Sequence, residues 1–232
     1  MEKDERIREA IERTQILRAP KQNLYTFGTT SIYYYLVTEP AYSEILKNTA
    51  ETVIREGKVI AERPKIVTPY YLNTLEGFSP EARRYFRSLL EEHGDLRGLF
   101  YTYRNEPKST NIITDNMKTI VDRLNADIDR RSDPLTAIIK GEDTLWDVSI
   151  MKFIFEITRN SVPDNLRQMG GRGLLNMDSS GIPGDARAHI EELFGQVARG
   201  ECETAKLRDE LERWGLFEEY QDRFLALFRK KS

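Results

Sequence analysis

The stretch Asp143–Ser161, DTLWDVSIMKFIFEITRNS, is the longest run dense in apolar residues, and it leads into Met169-Gly170-Gly171-Arg172-Gly173. Two periods compete within it. Met151, Phe153, Phe155 and Ile157 recur at every second position, with Lys152 and Glu156 between them, as in a strand. Trp146, Ile150, Phe153, Ile154 and Ile157 recur at helical spacing. Nearly twenty residues without Gly or Pro are long for a strand and ordinary for a helix. Asp143 or Thr144 can cap the first free amides. The run therefore reads as a helix. Its apolar residues cover most faces, so other elements must enclose it, and the glycines release the chain from its end.

Beyond this helix the pattern stays helical but interrupted. A short piece at 163–169 precedes a loop at 170–184, and helices follow near 184–198, 203–214 and 216–229, with Gly200 and Gly215 as stops. Trp214, Leu216, Phe217, Tyr220, Phe224, Leu225 and Phe228 form an apolar face at the end of the chain.

Before it, strands dominate. Residues 2–14 form a charged helix whose thin apolar side is Ile7, Ala10 and Ile11, and Pro20 ends that segment. Leu24–Thr38 is rich in β-branched and aromatic residues and reads as a strand pair with a turn or bulge at Gly28. Thr52–Arg63 reads as a hairpin through Arg55-Glu56-Gly57, with Gly57 left-handed. Lys65-Ile66-Val67-Thr68 is a further short strand. Ser79-Pro80-Glu81 starts a helix that runs to about His93 and stops at Gly94. Leu99–Tyr103 and Asn111–Thr114 read as strands, and Met117, Ile120, Val121, Leu124 and Ile128 as the face of an amphipathic helix. Leu135–Lys140 is a short apolar piece that suits a strand.

Strands in the first half and helices in the second predict an α+β fold. In it, an antiparallel-rich sheet from the N-terminal half packs with a mainly helical C-terminal half around the buried helix at 143–161. Residues 1–232 read as one compact domain; 161–184 is the place for a sub-boundary, which leaves 185–232 as a helical C-terminal subdomain.

Charged residues make up 31% of the chain and apolar residues 39%, with a net charge of −3. That balance suits a soluble globular protein and argues against nucleic acid as a partner. No apolar run approaches the roughly 20 residues that cross a bilayer. The N-terminus MEKDERIREA lacks the apolar core of a secretion signal, and the single Cys202 has no internal disulfide partner. A cytoplasmic location without membrane contact is the expectation.

Several residue groups are candidates for chemistry. Gly170, Gly171 and Gly173 beside Arg172 offer convergent amides and a guanidinium to an anion such as phosphate. The segment lacks the Gly-Lys-Ser/Thr of a Walker loop, and no strand feeds into it as a dinucleotide fingerprint requires. Asn176–Gly181 is oxygen-rich but reads as a turn and helix cap, without the spaced ligands of an EF-hand. Tyr33, Tyr34, Tyr35, Tyr70, Tyr71, Tyr101 and Tyr103, with Arg104 beside the last, could stack the bases of a single strand, but without a basic surplus they read as core and rim. Arg104-Asn105-Glu106 and Lys140-Gly141-Glu142-Asp143 are polar clusters next to apolar strands, where turns and ligand groups both occur. His93 and His189, near helix ends or the surface, have no partner at zinc-ligand spacing. No metal or cofactor is predicted.

Two function classes remain. The first is a non-catalytic binding or protein-interaction module that associates with itself or a partner through the C-terminal aromatic helix. The second is an enzyme or sensor for a phosphorylated or other anionic small molecule. It would use Gly170, Gly171, Arg172 and Gly173 with Arg104, Lys140 and Tyr103.

Overall fold

The computed structural model describes residues 2–42, 51–66, 75–92 and 99–229. The expected strand residues Val67 and Thr68, Tyr70 and Tyr71, His93 and the helix stop at Gly94 lie outside them. The described residues gather into two compact units. One holds 2–64 and 75–165, the other 65–66 and 166–229.

The first unit is built on a six-stranded mixed sheet. Its strands are β1 (Gln15–Arg18), β2 (Thr30–Thr38), β3 (Glu51–Ala61), β5 (Leu75–Glu76), β7 (Tyr103–Thr114) and β8 (Thr136–Lys140), in the order β1-β8-β2-β3-β7-β5. Neighbours run antiparallel except β2 with β8 and β5 with β7, which are parallel. Among the described residues, the remaining short strands are β6 (Leu99–Phe100) and, in the second unit, β4 (Lys65–Ile66). With α1 (Glu2–Arg13), α2 (Pro80–Glu92), α3 (Met117–Arg131) and α4 (Trp146–Gly171), the fold is α+β.

Alternation along β2 decides which helix covers which face. Tyr35 and Val37 join Ile54 and Ile138 on the side packed by Ile120, Val121, Leu124 and Ile128 of α3. Ile32, Tyr34 and Leu36 point the other way and are buried. On that side the Tyr103 hydroxyl meets Thr158 of α4.

Helix α4 is enclosed as its composition requires: Val148, Ile150, Met151, Phe153 and Ile154 are all at most 1% exposed. Lys152 and Glu156, which made the run alternate, sit four apart on one helical face. The Lys152 ammonium donates to the carbonyls of Ile11 and Thr14 at 3.0 and 2.9 Å, where α1 ends. A cation there suits the negative end of the helix. Asp143 and Thr144 are not the cap. The ladder begins with the Ser149 amide on the Leu145 carbonyl, beyond the reach of Asp143.

The structure corrects several expectations. Glu51–Ala61 is one continuous strand, not a hairpin, and Gly57 is not left-handed. Gly57 lies opposite Tyr34, and a Cβ there would collide with the Tyr34 ring and the Glu106 carbonyl. The missing side chain makes room for an aromatic ring. The expected strand Leu99–Tyr103 is shorter, Leu99–Phe100, and the expected Asn111–Thr114 is the end of a longer strand, Tyr103–Thr114, so Arg104-Asn105-Glu106 lies within a strand, not in a turn. Pro107 is tolerated because the register slips there: Glu56 faces Ser109 and Gly57 faces Pro107, leaving Lys108 bulged out. Leu24–Thr38 yields only β2, with Gly28 at φ 93° in the turn before it. Gln15–Arg18 forms an unforeseen strand against β8. At Ser79 the expected start holds, since its hydroxyl accepts from the Ala82 amide at 3.2 Å.

In the second unit, α4 runs on past Pro163 to Gly171, so 163–169 is not a separate piece. Gly173, at φ 71°, is the residue that turns the chain out. The helices α5 (Gly184–Arg199), α6 (Thr204–Arg213) and α7 (Phe217–Arg229) follow, and Gly200 and Gly215 end α5 and α6 at φ 76° and 65°. Ile190, Leu193, Phe194, Leu207, Leu211, Leu216 and Phe224 form the core of this unit. Phe217 and Tyr220 pack against it, so most of the C-terminal aromatic face is used internally. Leu225 and Phe228 stay exposed. His189 is buried in α5, not superficial, with its Nε2 3.2 Å from the Lys65 ammonium.

Candidate functional site

The parallel pair β2 and β8 ends on one side of the sheet, with Val37 level with Lys140. In open sheets the space beyond the carboxyl ends of parallel strands is where ligands commonly bind. Here it is a crevice of about 520 Å³ lined by Arg13, Gln15, Glu39, Pro40, Ala41, Lys140, Gly141, Glu142 and Thr144.

Its walls are fixed from behind. The Gly141 amide donates to the Val37 carbonyl at 3.1 Å, extending the β2–β8 ladder by one residue. A Cβ at Gly141 would collide with the side chains of Ser149 and Leu36, so this close approach to α4 requires glycine. The Ser149 hydroxyl in turn meets the Thr14 hydroxyl at 2.8 Å, tying α4 to the end of α1. Asp143 accepts from the Thr38 hydroxyl at 2.9 Å, the Ala41 amide at 3.2 Å and Arg55 Nη1 at 2.6 Å. The turn after β2 and the segment after β8 are thereby held together. The side chains of Arg55 and Asp143 are only 18% and 17% exposed, so this ion pair is largely shielded from water and salt.

The charges lining the crevice differ in their ties. Arg13 pairs with Glu142 at 3.3 Å. The Lys140 ammonium and the Glu39 carboxylate have no hydrogen-bond or ion-pair partner among the described residues. Lys140 is half-buried at the crevice wall, and Glu39 is exposed.

Two other cavities flank the bulge in β7. One, of about 620 Å³, is lined by Tyr33, Tyr35, Lys58, Glu106, Lys108 and Arg131 among others. Its cations are occupied: Lys58 pairs with Glu106 at 2.9 Å, Lys108 faces Glu56 at 3.8 Å, and Arg131 donates to the Tyr35 hydroxyl at 3.1 Å. The other, of about 300 Å³, lies by Tyr34, Arg55, Ser109, Thr110 and Trp146. There Arg55 is committed to Asp143 and stands 5.9 Å from the centre of the Trp146 ring. Burial pushes the Tyr34 hydroxyl up to about 12, against the hydrogen bond to Asn105, so it stays protonated at neutral pH.

The residues singled out in the sequence are dispersed. Tyr103 is in the core, stacked on Tyr101 at 6.0 Å, and burial holds its hydroxyl well above the ordinary range. Arg104 is on the surface and pairs with Glu106 at 3.0 Å. Arg104 is level with Ile60 and Ser31, whereas Lys140 is level with Val37. That separates them by roughly 20 Å along the strands and about 14 Å across, too far for one small ligand. In the second unit, Gly170 and Gly171 lie in the last turn of α4. The amides of Arg172, Gly173 and Leu174 donate to the carbonyls of Met169, Gly170 and Met169. Those amides close a helix C-terminus, whose dipole disfavours an anion. Asp178 accepts from the amides of Ser180 and Ile182 and from Arg187, which makes Asn176–Gly181 a self-satisfied turn.

Of the expected set, only Lys140 lines the crevice. Glu39 and Gln15 were missed, although a signal existed: the apolar runs of β2 and β8 each end in a charged residue beside Pro or Gly. Nothing local shows that the two runs are parallel neighbours. Among the described residues there is no cluster of His, Cys, Asp and Glu able to hold a metal, and no helix long and apolar enough to cross a membrane. No protein-family model, curated protein or solved structure matches this chain.

Proposed function

We propose that this chain is a binding module that holds a small organic anion in the crevice beyond β2 and β8, with Lys140 as the group that takes the carboxylate or phosphate. One observation carries the reading. Of the cations lining the three cavities, Lys140 alone has no hydrogen-bond or ion-pair partner among the described residues. An ammonium held beside a wall that is already satisfied gains an ion pair on binding and breaks none. Gln15 and Thr144 add neutral hydrogen-bonding groups. Glu39, the second unpaired charge, suits a ligand that also carries an amino or other donor group.

Two of the carboxylates at this end of the sheet are committed to the fold. Asp143, outside the crevice lining, is engaged by three donors, and Glu142 faces Arg13. Glu39 alone among the lining carboxylates is left to accept a donor of the ligand.

A thermal-shift screen tests the reading with phosphate, malonate, citrate and glutamate, each against chloride at equal ionic strength, on the wild type and Lys140→Gln. One of these anions should raise the melting temperature of the wild type by several degrees when well above its Kd, because binding to the folded state alone stabilises it by mass action. The rise should vanish in Lys140→Gln. Equal shifts in both proteins, or none in the wild type, would contradict the proposal.

A further inference from the structure

The outer side of β7 is paired by β5 at only two positions, Leu75 with Tyr103 and Glu76 with Arg104. From Asn105 to Thr114 no described strand lies against it. An open sheet edge is a template for another strand, and proteins that must stay monomeric guard it with proline, lysine, charges or bulges.

This edge is guarded over only half its length. Glu106-Pro107-Lys108 carries two charges, a proline and the register slip. Ser109–Thr114, STNIIT, has no charge, no Gly and no Pro. It is rich in β-branched residues, and Ile112 and Ile113 are 58% and 38% exposed. We infer that this segment is the interface for a second copy of the chain, joined antiparallel about a two-fold axis at Ile112.

The occupant follows from self-complementarity. In that register Ile112 faces its own copy, Asn111 faces Ile113, and Thr110 faces Thr114. Ile–Ile and Thr–Thr are favourable cross-strand pairs. The nearest charges also avoid their own kind: Lys108 falls opposite Asn116 and Asp115 opposite Ser109. Like charges, which ordinarily keep a strand from pairing with its copy, do not meet. A two-fold axis closes the contact at two copies, and joins two six-stranded sheets edge to edge.

The test uses the full chain. Light scattering coupled to size exclusion, over rising concentration, should give a dimer for the wild type. Ile112→Lys brings two like charges face to face and should leave a folded monomer, with circular dichroism and melting temperature retained because the position is exposed. Ile112→Val should remain dimeric. In a Cys202→Ser background, Ile112→Cys should form an intermolecular disulfide under mild oxidation, since directly opposed Cβ atoms are about 5 Å apart. Lys108→Cys, opposite Asn116, should not. A monomeric wild type, a dimer indifferent to Ile112→Lys, or crosslinking through position 108 in place of 112 would overturn the inference. None of these outcomes depends on the anion crevice.

Discussion

Arg55 and Lys140 show how differently two cations in one sheet are used. The Arg55 guanidinium is 2.6 Å from Asp143 in a largely shielded pair, and Asp143 also holds the Ala41 amide. Asp143→Ala would leave a mostly buried guanidinium without its counter-charge and release the turn after β2. The expected cost is about 2–3 kcal/mol, below the range for fully buried pairs because some water reaches both groups. Lys140 supports nothing else in the fold, so Lys140→Gln should change stability by less than about 0.5 kcal/mol. Urea denaturation of the two variants beside the wild type measures both. A large loss at Lys140 would make it a structural residue and remove the basis of the binding site. The sequence displayed both residues plainly but not their roles. Arg55 stood in a supposed hairpin loop, and Asp143 was assigned to a helix cap, because their pairing joins positions 88 residues apart.

At the scale of elements, β3 and β7 were the hard strands and α4 the accessible helix. A long enclosed helix announces itself through length and apolar density, and α4 did so despite its alternating residues. A glycine or proline inside a strand sends the opposite message. Glu56-Gly57 has the form of a turn, yet Gly57 is there because the ring of Tyr34 crosses it. Glycine serves left-handed turns and close approaches alike, and only the partner strand distinguishes them. The two roles make different predictions. Gly57→Ala should destabilise the protein by about 1–3 kcal/mol through overpacking, and by less in a Tyr34→Leu background, where only the contact with the Glu106 carbonyl remains. A turn glycine would lose the same amount in both backgrounds. A double-mutant cycle by chemical denaturation reads the difference directly. Pro107 likewise sits inside a strand, and the bulge that accepts it is visible only once β3 lies beside it.

At the scale of the whole molecule, the distribution of elements along the chain was legible: strands early, helices late, an α+β architecture. Sheet order was not, because it rests on pairings such as β1 with β8 whose members are more than a hundred residues apart. The C-terminal aromatics were visible as a face but not as a core. Phe224 meets Phe217 and Phe228 edge to face at 5.5 and 5.7 Å, and Tyr220 stacks on Phe194 at 5.7 Å. Removal of residues 216–232 should therefore abolish amide-exchange protection across α5 and α6 while β2 and β3 keep theirs. Retained protection in α5 would show that the aromatic face is a surface after all. On the proposed function, the carboxyl ends of β2 and β8 take the anion. The most direct test is an amide chemical-shift titration with whichever anion the thermal screen selects. Saturable shifts confined to Glu39, Ala41 and the segment Lys140–Thr144, absent in Lys140→Gln, are the expected result. Shifts centred on Gly170–Gly173 or on Arg104, with Lys140–Thr144 unmoved, would contradict it.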